Sequence, residues 1–201
     1  MIIDETLRQF ARLLEDRFSR HVFTTEDSIR YTFFYCLSNL GNLPPSDIIL
    51  ERPHTSIPKA EVDTYIPAKN GRQGLVLEFK FDRAIPSGKN APRPQKAGKV
   101  FADIMRLALF SSSNNDQRYL IYVTDREMAD YFQNESNQLN DFFNLNLQNT
   151  LRIDDSYIQR HCKTFVDSIG EPMIPCKIIC RLSEEFKTGE SLRVYEIHLI
   201  S

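Results

Sequence analysis

The sequence predicts an α/β (α+β) fold, with helices against a sheet and, past residue 125, further helices and a β-hairpin. Three observations carry this. Helical and strand-like hydrophobic periods alternate along the chain. Three strand-like runs follow one another between residues 47 and 81, set off by proline and an Asn-Gly turn. Two more runs flank Lys187-Thr188-Gly189-Glu190 near the C-terminal end of the sequence.

The elements follow in order. Leu7, Phe10, Leu13, Leu14 and Phe18 recur at helical spacing, predicting a helix over residues 4–19. Thr24 followed by Asp27 reads as a capping box for a second helix through EDSIRYTFFYCLSNL, which stops near Gly41 and Pro44. DIILERP is a short strand ended by Pro53, and AEVDTYIP is a second, stopped by Pro67. Asn70-Gly71 is a turn signal, and GLVLEFKF is the third strand. Residues 84–94 carry three prolines and predict an extended loop. QKAGKVFADIMRLALF is a helix with Val100, Ile104, Leu107 and Ala108 on one face, and RYLIYVT is a buried strand. Two helical stretches are expected next, from Asp125 to about Phe143 and from about Ser156 to Ile169. CKIICRLSEEF and SLRVYEIHLI complete the chain as a hairpin. Neither repeats nor a linker divide the 201 residues, so a single domain, 1–201, is expected.

Composition narrows the function classes. The chain is 41% apolar and 26% charged, with a net charge of −2. No apolar run approaches the roughly 18 residues of a membrane span. The first residues carry acids and lack the basic start and apolar core of a signal peptide, so a cytoplasmic protein is expected. Cys36, Cys162, Cys176 and Cys180 form no C-x-x-C pair, and reduced, mostly buried thiols are expected rather than a zinc site with His161. Gly88-Lys89 and Gly98-Lys99 lack the glycine spacing and the following Ser or Thr of a phosphate-binding P-loop. There is no G-x-G-x-x-G, no nucleophile elbow and no metal-ligand spacing among the four histidines.

The chemistry concentrates in the hairpin KAEVDTYIPAKNGRQGLVLEFKFDR. Strand side chains alternate between faces. Leu75, Leu77, Phe79 and Phe81 take one face of the third strand, and Val76, Glu78 and Lys80 the other. Glu61, Asp63 and Tyr65 share a face of the second strand, opposite Val62, Thr64 and Ile66. Antiparallel pairing through the 70–71 turn brings Asp63 beside Glu78. Two carboxylates on a half-buried face repel and lose hydration. Lys80 compensates one, and a divalent cation compensates the rest. Mg²⁺ suits oxygen donors such as Asp63, Glu78 and the Phe79 carbonyl, with waters and a phosphate oxygen completing the shell. Such a metal makes a bound water more acidic and stabilises charge at phosphorus, and Lys80 would position that water. The other reading is an exposed strand face with a Glu-Lys pair. A second EFK at 185–187 fits that reading, since it abuts a turn.

The order helix, strand, strand with Asp63, strand with Glu78-x-Lys80, helix, strand resembles the PD-(D/E)xK nuclease superfamily. The resemblance covers about residues 24–124, with 125–201 as a C-terminal elaboration. It implies a restriction-endonuclease-like core, α-β-β-β-α-β, around a mixed central sheet flanked by helices. It implies Asp63 and Glu78 as metal ligands and Lys80 as the catalytic lysine. Val62, not proline, precedes Asp63. The family commonly adds an acid on the first core helix. Glu26 is the candidate here, and a first-turn acid that favours the helix dipole is the equal alternative.

The substrate reading rests on charge. Residues 80–106 hold seven basic residues against two acids, a net of +5 in a chain of net −2. Arg83, Lys89, Arg93, Gln95, Lys96 and Lys99 are the candidate contacts to a phosphodiester backbone. The expected function is a DNA endonuclease of the type II restriction kind, dependent on Mg²⁺, for which Mn²⁺ can substitute. The expected assembly is a homodimer, in which two-fold symmetry matches a palindromic site. A nuclease of repair, recombination or transposition and a binding module without turnover are the alternatives.

Overall fold

The computed structural model describes residues 3–84, 88, 90–110, 116–170 and 173–200. It is an α/β structure in which seven strands form one mixed sheet with helices on both faces.

Helix α1 (Ile3–Ser19) buries Leu7, Phe10, Leu14 and Phe18, the stripe its period requires. Helix α2 (Glu26–Asn39) packs on α1, with Phe10 edge-on to Phe33 at 5.1 Å. Its start differs from the expected one. Thr25 is the N-cap and Ser28 closes the capping box, with Ser28 N–H donating to Thr25 Oγ1 at 3.1 Å. Thr24 instead donates to the Val22 carbonyl and accepts from Arg17. A capping pattern one residue out of step was available in TTEDS, and the tie between Thr24 and Arg17 settles which threonine caps.

Strands β1 (Ile49–Pro53), β2 (Glu61–Ile66) and β3 (Leu75–Asp82) run antiparallel in turn. Helix α3 (Arg93–Leu109) crosses over to β4 (Gln117–Thr124), which lies parallel to β3 across all eight residues. Helices α4 (Arg126–Gln133) and α5 (Asn140–Phe143), strand β5 (Thr150–Ile153), helices α6 (Asp155–Gln159) and α7 (Lys163–Ile169), and strands β6 (Cys176–Glu185) and β7 (Ser191–Leu199) follow. The sheet order is β1-β2-β3-β4-β7-β6-β5.

Alternation sorts the core into two layers. Leu75, Leu77, Phe79, Tyr119, Ile121, Val123, Leu192 and Val194 meet α1 and α2. Val76, Leu120, Tyr122, Tyr195 and Ile197 meet α3 and the C-terminal helices. Both faces of β4 are covered, which is why it reads as one apolar run. Val62 departs from the expected face and joins the layer of Tyr65. Glu51, on the facing strand, has φ +51° and interrupts the β1–β2 register opposite Asp63.

The two long C-terminal helices expected from the sequence are each broken. Asn134 accepts from the Ser136 N–H at 3.0 Å, and Gln138 turns left-handed at φ +56°, so α4 and α5 are separate. Asparagine side chains compete for backbone groups and favour such turns. A second break at 160–162 divides α6 from α7. Strand β5 was not expected; its four residues are too few to show a period, and it exists by pairing with β6. Gly98 of α3 packs against α7, where a Cβ would stand 2.4 Å from the Phe165 carbonyl oxygen.

Candidate active site

The pairing of β2 with β3 runs from Ile66↔Leu75 to Thr64↔Leu77 and then ends. The next pair in register is Asp63 with Glu78. Here the strands fork, and side chains take up the backbone donors left on β3. Phe79 N–H donates to Asp63 Oδ2 at 2.7 Å, and Phe81 N–H donates to Glu26 Oε2 at 2.8 Å. A strand residue turns its N–H and C=O to the same side, so the Phe79 carbonyl faces the fork as well.

Asp63, Glu26 and Lys80 thus converge on one site. Lys80 Nζ lies 3.7 Å from Glu26 Oε2. Glu78 follows on the same face of β3, with a side chain only 2% exposed. The expected compensation differs in its partners. Arg106 Nε and Nη2 donate to the two Glu78 oxygens at 2.8 and 3.2 Å, and Nη2 also reaches Asp103 Oδ1 at 2.7 Å. Arg30 Nη2 donates to Asp63 Oδ1 at 2.8 Å, and Arg30 Nη1 lies 3.4 Å from Glu51. Asp63 and Glu78 are therefore paired with arginines, while Lys80 serves Glu26. The guanidinium fork, from a helix facing the strand, reaches both oxygens of Glu78, which a lysine two residues along the same strand cannot.

Burial dominates the electrostatics. It pushes the Glu78 carboxyl up to about 8, against the opposing pull of Arg106, and Asp63 and Asp103 push the same way. Burial lifts Asp103 to about 6 and also raises Asp82, which accepts from Tyr122 Oη at 3.2 Å. Burial opposes the charge on Lys80, yet Glu26, Asp103, Asp82 and Asp63 outweigh it, and its pKa rises. Lys80 is held as an ammonium, a hydrogen-bond donor and positive charge rather than a base.

Five carboxyl groups (Glu26, Asp63, Glu78, Asp82, Asp103) crowd together with four cations (Arg30, Lys80, Lys96, Arg106). Among the described residues, no three His, Cys, Asp or Glu side chains stand in metal-holding geometry. The oxygen donors fit a hard divalent cation in kind. A cation taken up at Glu78 would share its oxygens with Arg106 or displace it, since each oxygen already accepts one hydrogen bond.

Of the expected DNA contacts, Arg83, Arg93 and Lys96 stand near one another, Lys96 bonding to Arg83 and sharing one pocket with Arg93. Arg83 lies over the Phe23 ring, 4.6 Å from its centre. Arg93 pairs with Glu127, Lys96 Nζ donates to the Arg83 carbonyl at 3.0 Å, Gln95 is half-buried and Lys99 is exposed. Lys89 lies outside the described residues. Arg106, counted with the basic stretch, is turned to Glu78. Glu185 of the second EFK pairs with Arg193 and Ser191, and its strand β6 lies beyond β4 and β7 from β3. Cys36, Cys176 and Cys180 are buried free thiols, and Cys162 is an exposed one. Sequence reasoning missed Arg30 and Asp103. Arg30 stands one helical turn from Glu26, and Asp103 one turn before Arg106, spacings that share a helix face.

No helix among the described residues is long and apolar enough to cross a membrane. Comparison with family models, curated proteins and solved structures found no match.

Proposed function

We propose that the chain is a Mg²⁺-dependent endonuclease that hydrolyses DNA phosphodiester bonds in the manner of type II restriction enzymes, acting as a homodimer. The carrying observation is the β2–β3 fork, where Asp63, Glu26 and Lys80 gather around β3 backbone groups and Glu78 follows on the same strand. The order α2-β1-β2-β3-α3-β4 agrees with a restriction-endonuclease-like core. Asp63, Glu78 and the Phe79 carbonyl would hold the cation, with Glu26 as a further acid. When bound, the cation supplies Lewis-acid stabilisation of charge at the phosphate. Lys80, kept charged by its acidic neighbours, orients the attacking water and offsets negative charge as the bond to phosphorus forms. Glu26 anchors Lys80 and fixes the strand edge through Phe81 N–H. Nuclease roles in repair, recombination or transposition use the same chemistry.

One observation favours a second reading, a DNA-binding module without turnover: each ligand carboxylate already has an arginine. A plasmid-cleavage assay with Mg²⁺ or Mn²⁺ decides. Cleavage that Lys80→Ala abolishes, while the fold and Glu185→Ala activity survive, supports the nuclease. Undiminished cleavage by Lys80→Ala makes the lysine structural. No cleavage by the unaltered chain leaves the binding module.

A further inference from the structure

Next to the fork lies a cavity of about 370 Å³, lined by Phe18, Phe23, Phe81, Arg83 and Glu190 among others. The volume is within the roughly 300–1,000 Å³ of small-molecule sites. Three features of this cavity point to one ligand chemistry. Phe23 is 71% exposed, yet its backbone is anchored, since Arg17 Nη2 donates to the Phe23 carbonyl at 2.9 Å. With Arg83 against its ring, it forms a flat cationic and aromatic platform. Glu190 Oε2 is buried and has no hydrogen-bond partner among the described residues. The other carboxylate of the lining, Asp125, is occupied at both oxygens, by Met128 N–H and Ala84 N–H. The cavity adjoins the fork directly: Phe81 lends its ring to the cavity and its N–H to Glu26.

We infer that this cavity receives one unstacked nucleobase of a single-stranded DNA segment, with guanine preferred. A flat π-face stacks on Phe23 and Arg83 whatever the base. An unpaired carboxylate selects bases that present N–H donors. Guanine offers N1–H and N2–H in parallel to both carboxylate oxygens, adenine and cytosine offer an exocyclic amine, and thymine has only N3–H. The inference rests on the nucleic-acid reading of the fork and adds a base-selective subsite to it.

The test is fluorescence anisotropy in EDTA with labelled oligo(dT) strands carrying one central dG, dA, dC or dT. Cleavage cannot interfere there, and each variant is first checked by its melting curve. The dG strand is expected to bind at least about fivefold tighter than all-dT, the scale of one good base contact. Glu190→Gln should level the four strands. Phe23→Ala should weaken all four by about fivefold or more, the scale of one stacked base. Equal binding of the four strands, or binding indifferent to both substitutions, overturns the site. A duplex that is bound and cleaved alongside indifferent single strands removes the pocket and keeps the nuclease. A dG preference without duplex cleavage in Mg²⁺ keeps the pocket and removes the nuclease.

Discussion

Glu78 is the residue on which the site turns, because a carboxylate 2% exposed persists only with a partner. That partner is Arg106. Arg106→Leu leaves the Glu78 carboxyl protonated and short of its hydrogen bonds, and should therefore lower the melting temperature in EDTA by the equivalent of about 1–3 kcal/mol, the range for a buried polar group that loses its partner. Mg²⁺ should raise the melting temperature of this variant more than that of the unaltered chain, since no arginine holds the Glu78 oxygens. Thermal melts with and without Mg²⁺ check both; an equal Mg²⁺ response would show that Arg106 does not compete with the cation. Glu26 makes two contacts, to Phe81 N–H and to Lys80. Glu26→Gln keeps the acceptor and loses the charge. Cleavage at low Mg²⁺ should fall about tenfold or more, with less than ~1 kcal/mol lost in stability. Unchanged cleavage across the titration would leave Glu26 as a helix-start residue.

At the scale of elements, α2 and the splayed end of β2 create the site together. The helix delivers Glu26 from its first turn and Arg30 from its second, and both reach the gap that β2 leaves beside β3. Its start must then be well defined. Thr25→Ala removes the side-chain acceptor for Ser28 N–H and should cost about 1 kcal/mol. Asp27→Ala, at the position sequence pattern favoured, should cost less, because Asp27 is exposed and lies 3.9 Å from Arg30. Chemical denaturation of the two variants compares them directly, and a larger loss for Asp27→Ala would contradict the observed cap. The reverse case is the 125–143 stretch, where asparagine side chains capture backbone groups and divide a helical pattern into short pieces.

For the whole molecule, residues 24–124 do not stand apart from the rest. Strand β4 pairs with β7 over seven residues, Arg118↔Ile197 to Thr124↔Ser191. Tyr122 packs against Phe132, and α3 packs against α7 at Gly98. A chain ended after Thr124 would expose an apolar strand edge and the covered face of α3. Circular dichroism of residues 1–124 should show no cooperative melting transition, whereas the full chain melts cooperatively; a cooperative transition in the fragment would show that the C-terminal elements are dispensable.

Local pattern was enough for much of this architecture. The periods of α1, α2 and α3, the Asn70-Gly71 turn, the strands around Asp63 and Glu78 and the terminal hairpin are all written in residues near in sequence. Strand parity did not carry as far as Asp63 and Glu78: the β2–β3 pairing ends at Thr64↔Leu77, and Val62 leaves the face that parity assigns it. Tertiary structure alone decided what those carboxylates touch. Arg30 and Arg106 come from helices on either side of the sheet, and no spacing within a strand reports which cation a helix will deliver. Strand β5 and the union of β4 with β7 are likewise long-range pairings, whose hydrogen bonds form only once distant segments have already met.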